Sequence, residues 1–336
     1  MKNSKATLAD VAKAAGVSPA TVSRAISNPE LVRQETLRTI RAVAKSLGYI
    51  PDAKARALVS GRSNSVGVVV PTLDSPMFSR ALHAMQKALS NAGFQLLVAS
   101  HDYDPFLEEL AASKLIGQGV DGLVLVGADR PEGLWKLVDG TGTPTVLTWC
   151  AMEGRDSVCV DNVKAGELVA NHLLDLGHRH FGVLTGERRN NDRQRQRLEG
   201  VRNALERRGV PLGETNVLEQ PISIAGGRSG CNRLLTHANT PTAIIGLIDI
   251  LATGAMIEAQ AQGIAVPTDM SIAGIDNLEF SEHVAPALTT VHIPAANMGD
   301  LAAMRILEML RAPQTPRSTM LDVELIARKS TAPPRG

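Results

Sequence analysis

The chain is poor in cysteine and tryptophan: 336 residues hold three of the first and two of the second. Cys150, Cys159 and Cys231 are too few and too scattered for a disulfide framework or a zinc cluster, and they read as buried thiols. Long apolar runs are missing as well. Nowhere do the roughly 18 successive apolar residues of a membrane span occur, and Met1-Lys2-Asn3-Ser4-Lys5 leads into a polar helical pattern with no apolar leader core. These absences predict a cytoplasmic chain without a membrane partner. Catalytic signatures are lacking too. His101, His172, His178, His180 and His283 make no HExxH or other metal spacing, and no GxSxG, phosphate-binding loop or pair of carboxylates on one helix face occurs. Gly226-Gly227 reads as a helix-start turn, so neither catalysis nor a metal or other cofactor is expected.

What is present is a length suited to two or three compact units and an ordinary balance of 44% hydrophobic and 21% charged residues. The net charge of +1 conceals an uneven distribution. Residues 1 to 62 carry 11 Lys and Arg against 4 Asp and Glu, a net of +7; the remainder carries 24 against 30, a net of −6. A basic head on an acidic body suits a polyanionic partner, because neutralised phosphates release counterions. A solvated basic surface is the alternative.

Thr7 to Ile26 reads as two short helices with a tight turn at Gly16. Thr7 caps the first, with Asp10 three residues on, and Leu8, Val11, Ala12 and Ala15 form its apolar stripe. Ser18 caps the second, with Pro19 at its first position. A third helix over about Arg33 to Leu47 offers Leu37, Ile40, Val43, Ala44 and Leu47 to close a three-helix core. In a helix-turn-helix the start of the second helix enters the major groove of double-stranded DNA, which makes Pro19, Ala20 and Arg24 the base-reading candidates. The Arg24 guanidinium can bond guanine O6 and N7 together, whereas Pro19 and Ala20 offer shape or contact with a thymine methyl. Ser18, Thr21, Ser23 and Asn28 suit phosphate contacts, with capping or plain exposure as the alternative.

This motif, followed by Leu47-Gly48-Tyr49-Ile50-Pro51-Asp52, Ala55, Ala57 and Leu58, resembles the head and hinge of the lac repressor (LacI/GalR) family of transcriptional regulators. The resemblance implies a helix-turn-helix DNA-binding head at 1–50, a hinge segment at 51–62 and a two-lobe core at 63–336. It places Leu58 as a wedge in the minor groove at the centre of an operator, and counts Thr7, Tyr49 and Ala55 with the DNA-facing residues. Lys54, Arg56 and Arg62 supply a basic flank, while Asp52 stands where the family usually has asparagine.

From Ser65 the pattern becomes short apolar runs alternating with amphipathic helices: Val66–Val70, Phe94–Ala99, Gly122–Val126, Pro144–Trp149, Phe181–Thr185, Ala243–Ile248 and Ser271–Ile275. Such alternation predicts an α/β core with parallel sheets in two similar lobes and a ligand between them at the strand ends. The resemblance adds a core like the periplasmic sugar-binding proteins. Asp161-Asn162, Gly177-His178-Arg179, Arg197-Leu198-Glu199-Gly200, Gly274-Ile275-Asp276-Asn277 and Pro286–Thr290 carry it. Lobe one would cover about 63–162 and 291–320, lobe two about 163–290 and 321–330, with crossings near Asn162, Thr290 to His292 and Leu321. The attached head argues against a free periplasmic receptor.

Effector candidates sit at strand ends. Asp74, Met77 and Phe78 follow the first strand; Asp74 could accept hydroxyls, and Phe78 could stack on a ring or pack into the core. Trp149 offers a stacking face at the end of its strand. Asp276 matches the acidic residue with which many members bind paired sugar hydroxyls. Arg197 matches an effector-contacting arginine, and with Arg193 and Arg195 could hold a carboxylate or phosphate, unless the run is a solvated helix end. Ile248 stands where members often have asparagine, so this pocket should read a different part of its ligand or a less hydroxylated one. The expected function is a dimeric, palindrome-binding repressor controlled by a small molecule, a sugar or sugar acid being the first choice. A corepressor-dependent regulator of another pathway, or a binding module without specific DNA recognition, is the alternative. The C-terminal segment lacks the leucine heptads that build tetramers.

Overall fold

The computed structural model describes residues 6–50, 61–236 and 239–335. They fall into two units, one before and one from Ser65. In the head, α1 (Leu8–Ala14), α2 (Pro19–Ser27) and α3 (Gln34–Ser46) bury Val11, Ala12, Val22, Ala25, Leu37 and Ile40 against one another. Gly16 has φ +67°, the left-handed turn that lets α2 fold back on α1. Leu47 departs from expectation. It follows the last helical residue as the C-cap and is 41% exposed.

The second unit is a pair of six-stranded sheets. The first contains β1 (Ser65–Val70), β2 (Gln95–Ser100), β3 (Gly122–Val126), β4 (Thr145–Trp149), β5 (Asp156–Val160) and β11 (Ser318–Leu321), in the order β11-β5-β4-β3-β1-β2 and parallel throughout. The second contains β6 (Phe181–Thr185), β7 (Val217–Glu219), β8 (Ala243–Gly246), β9 (Ser271–Asp276), β10 (Thr289–His292) and β12 (Glu324–Ile326), in the order β12-β10-β9-β8-β6-β7. Only β12 runs antiparallel, pairing with β10.

The unbroken apolar runs follow from covering both faces of each sheet. In β1, Val66, Val68 and Val70 pack with α4 (Pro76–Asn91) and α11 (Ala295–Arg311), while Val69 faces α5 (Pro105–Gly117) and α6 (Glu132–Thr141). Each such valine contributes about 1.5–3 kcal/mol on burial. In the second sheet α7 (Asn162–Asp175) and α8 (Asp192–Arg207) cover one face, and α9 (Ile224–Leu235) and α10 (Asp249–Ala261) the other. The chain passes between sheets after β5, after β10 and after β11. Val291 and His292, expected in lobe one, therefore lie in the second sheet, and Leu321, expected in lobe two, closes β11 of the first. The resemblance sets those bounds, with crossings near Thr290 to His292 and near Leu321, and strand pairing carries each crossing to the end of that stretch.

The run Ala243–Ile248 also shortens. The strand stops at Gly246, and Ile248 is the N-cap of α10. The pieces β5, β7, β10, β11 and β12 gave no separate strand expectation, most being short or mixed in polarity.

Two glycines set the approach of α7 to α8. A methyl at Gly166 would overlap the Arg197 carbonyl oxygen, and one at Gly200 the Val163 carbonyl oxygen. Exposed Gly140 in α6, by contrast, has open space where a methyl would go. Gly200→Ala should therefore destabilise the core by about 1–3 kcal/mol through overpacking, whereas Gly140→Ala should stabilise it by up to about 1 kcal/mol through helix propensity. Urea unfolding of both variants checks this; equal effects of one sign would contradict the close helix crossing.

Candidate nucleic-acid interface and effector cavity

On the head, the start of α2 is an exposed polar face. Ser18 Oγ accepts the Thr21 amide N–H at 3.1 Å and lies 2.9 Å from Thr21 Oγ1, so these two side chains also hold the helix start. Pro19, Ala20, Ser23, Arg24 and Asn28 are exposed, and Thr21 is half-buried. Arg24 has no acidic partner among the described residues, which leaves its guanidinium available. Thr7 is committed differently: its hydroxyl donates to Asp10 Oδ2 at 2.7 Å and accepts the Asp10 amide at 3.3 Å, a capping box that holds the Asp10 carboxyl below its usual range. Tyr49 is half-buried against the head core. Ala55 and Leu58, with Asp52, Lys54 and Arg56, lie outside the described residues.

In the second unit, a cavity of about 590 Å³ opens between the sheets and narrows to an inner chamber of about 50 Å³. Loops at strand carboxyl ends build its walls, where parallel sheets leave backbone groups and helix N-termini free to meet a ligand. All eight effector candidates lie along it. Asp74 is at the outer part, Met77, Phe78, Trp149, Arg193 and Arg197 at the inner chamber, and Ile248 and Asp276 at both. Phe78 and Trp149 meet edge to face, with ring centroids 5.0 Å apart, and close the inner end. Trp149 (φ +67°), Tyr103 (φ +62°) and Asp276 (φ +129°) all hold backbone conformations that favour glycine. Strain concentrated around one cavity is a mark of a functional site.

The arginine run is not the free anion clamp that its spacing suggests. Arg193 pairs with Asp192 at 2.9 Å, both side chains being buried. Arg195 pairs with Asp129 at 2.8 Å and lies outside the cavity wall. Arg197 donates to the Leu247 carbonyl at 2.7 Å and to Asn162 Oδ1 at 3.1 Å, and its Nη1 is 2.9 Å from Asp276 Oδ1. Each cation is answered by a carboxylate, adjacent in sequence for Arg193 and distant for Arg195 and Arg197. Asp192 also accepts the Ala128 amide at 2.6 Å, so the beginning of α8 is tied to the first sheet. Behind it, Arg130 Nε lies 3.1 Å from Glu108 Oε1, and burial together with Arg130 and Arg193 lowers His101 to about 4.

Several cavity residues escaped the sequence reading. Asp102 and Tyr103 follow β2 and would have been found by applying the strand-end rule to Phe94–Ala99. Glu219 ends β7 and Gln220, Pro221 and Ile222 follow it, a strand whose three residues carry no usable periodic signal. Asp249, at the start of α10 and outside the cavity lining, accepts the Leu278 amide at 2.9 Å and the Ser281 hydroxyl at 2.6 Å, and bonds Thr290 as well. Burial pushes its carboxyl up.

Burial also pushes Asp276 up to about 7, with Arg197 and Arg193 on α8 opposing the rise and Asp249 on α10 adding to it. Tyr103 faces it from the first lobe. A carboxyl raised above its unfolded value of about 3.9 contributes stability that is complete below that value and is lost as pH rises through the folded one. The stability difference between Asp276→Asn and the wild type should therefore move in favour of the asparagine variant from about pH 4 to about pH 8. Urea midpoints across that range test this; a constant difference would mean that Asp276 titrates as an ordinary surface carboxylate.

Comparison with known proteins agrees with this arrangement. Residues 7–52 match the family model for bacterial regulatory proteins of the lacI family, and residues 170–331 match a periplasmic binding protein-like domain. The HTH-type transcriptional regulator DegA of Bacillus subtilis is 33% identical over 98% of this chain and 99% of its own. The HTH-type transcriptional repressor PurR of Haemophilus influenzae is 32% identical over 97% and 98%. The crystal structure of the lac repressor dimer bound to operator and the anti-inducer ONPF superimposes with a TM-score of 0.86 at 26% identity, covering 98% of this chain and all of that one. With a helix-turn-helix head, a two-lobe α/β ligand domain and full-length relatives that regulate transcription, the chain belongs to the lacI family of bacterial regulatory proteins.

Proposed function

We propose that the protein is a cytoplasmic, non-enzymatic repressor that binds a palindromic operator as a dimer and changes operator affinity when a small molecule enters the core cavity. The observation that carries this reading is the cavity itself, walled by both lobes in a chain whose head carries an exposed Arg24 on the outer face of α2. Arg24 reads base edges, Pro19 and Ala20 shape the contact, and Ser18, Thr21, Ser23 and Asn28 position the phosphates. Thr7, Tyr49 and Ala55 complete the DNA-facing set, and Leu58 wedges the minor groove. A ligand that binds one lobe orientation better than another shifts the population towards it, and DNA affinity changes by the same coupling factor.

The dimer partner suits the free edge of β2. Val98 is 42% exposed there, and Leu107 and Leu110 on α5 line an adjoining groove of about 490 Å³. An apolar edge strand calls for a cover, and a second copy of the chain offers an identical edge to pair with it. The lac repressor structure is that of a dimer, which supports a second copy as the partner.

The test begins with duplexes selected from a randomised pool, followed by anisotropy titration of selected and scrambled duplexes at two salt concentrations. The wild type should prefer the selected duplex by roughly a thousandfold or more. Arg24→Ala should lose about 1–3 kcal/mol on the selected duplex and little on the scrambled one. Equal losses on both would remove Arg24 from base reading, and no preference in the wild type would reduce the protein to a binding module without specific DNA recognition.

A further inference from the structure

The charges around the cavity bear on the ligand, on the reading that this cavity holds the effector. Its wall presents Asp74 and Asp102 from the first lobe and Glu187 and Glu219 from the second, all four exposed at the mouth. Glu219 is held by Arg188. Asp74, Asp102 and Glu187 have no cationic partner among the described residues. Deeper in, Asp276 is only 3% exposed and lines both chambers; its Oδ1 lies beside Arg197 in a charge contact yet accepts no hydrogen bond. The two arginines of the inner chamber are occupied by Asp192 and Asp276. An anionic ligand would have to pass three unpaired carboxylates and then displace a buried carboxylate from its arginine. A cation meets the opposite situation at each step.

The rest of the wall narrows the class. Pro76, Pro221, Ile222, Ile248, Ile250 and Leu278 supply apolar surface, and Thr72, Ser75, Tyr103, Asn191 and Gln220 supply uncharged hydrogen-bonding groups between them. The geometry points to a small organic cation as the effector: a protonated amine on a compact body with both apolar and uncharged polar surface, its ammonium held between carboxylates of both lobes. The lobes carry like charges towards one cavity, so an empty closed cavity is opposed by their repulsion and an ammonium between them relieves it. The same contact that binds the ligand thereby favours one lobe orientation, which is what control of DNA affinity needs. Sugar acids and sugar phosphates are the classes this charge pattern disfavours.

The experiment uses the full-length protein and three sets of compounds, each set keeping one carbon skeleton and changing its polar groups. They are tyramine, tyrosol and 4-hydroxyphenylacetate; putrescine, 1,4-butanediol and succinate; and glucosamine, glucose and gluconate. Thermal shift and calorimetric titration are run on the wild type and on a variant carrying Asp74→Asn with Glu187→Gln. In at least one set the amine should bind about tenfold more tightly than its alcohol, as expected of a hydrogen bond to a charged group. That advantage should shrink as salt is raised and disappear in the double variant. Tighter binding of an acid, equal binding across a set, an amine advantage that survives in the double variant, or no shift from any amine overturns the proposal. The regulatory reading is judged separately, by the preference of the wild type for its selected duplex. An acid that binds while this preference stands removes only the ligand class.

Discussion

Arg197 and Asp276 form a buried pair on which much of the core depends. Their side chains are each 4% exposed, and the arginine reaches two further places in the fold. It bonds the Leu247 carbonyl at the end of β8 and the Asn162 side chain at the start of α7, while Asp276 closes β9. One guanidinium thus joins the first crossing between lobes to two neighbouring strand ends of the second sheet. Removing one member of such a pair leaves a buried charge without its partner, a loss of about 3–5 kcal/mol in typical cases. The close passage of α7 over α8 at Gly166 and Gly200 carries Arg197 to this position, so helix packing and ion pairing specify the same arrangement.

The pair also defines the floor of the cavity, and its strained backbone belongs with that role. Asp276 at φ +129° and Trp149 at φ +67° project from the ends of central strands in different lobes. Their conformations are maintained by the surrounding sheets and not by local preference. Asp192 reaches from α8 to the Ala128 amide of the first lobe, and Arg80 donates to the Asn277 carbonyl at 3.3 Å from the other side. Directional polar contacts therefore link the lobes around an open cavity, beside one apolar cluster that holds residues of both sheets, and a ligand touching both walls has leverage on their orientation.

Much of the architecture was legible because apolar runs such as Val66–Val70 can be buried on both faces only in a covered parallel sheet. The head was legible because Gly16, Ser18 and Pro19 dictate a turn and a helix start by their own chemistry. Strand ends, and for Arg193 and Arg197 the family resemblance, led to the eight side chains along the cavity wall. What the linear pattern did not contain is pairing over long sequence distances. Arg193, Arg195 and Arg197 looked like an anion clamp since Asp129 and Asp276 lie 66 and 79 residues away from the arginines they answer. Asp192 stands next to Arg193 and could have been weighed. Likewise, an apolar run does not say where a strand stops. Gly246 ends β8 where α10 comes close enough for a methyl to meet Ala252, and only the fold reveals that approach.

The account rests on one coupling, between cavity and head. Its most direct measurement is operator affinity with and without the compound that most raises the melting temperature of the protein, together with the affinity of that compound with and without operator. Linkage requires the two ratios to be equal and different from one, typically about 5–150-fold. A compound that binds tightly and leaves operator affinity unchanged would contradict the account, whatever its charge.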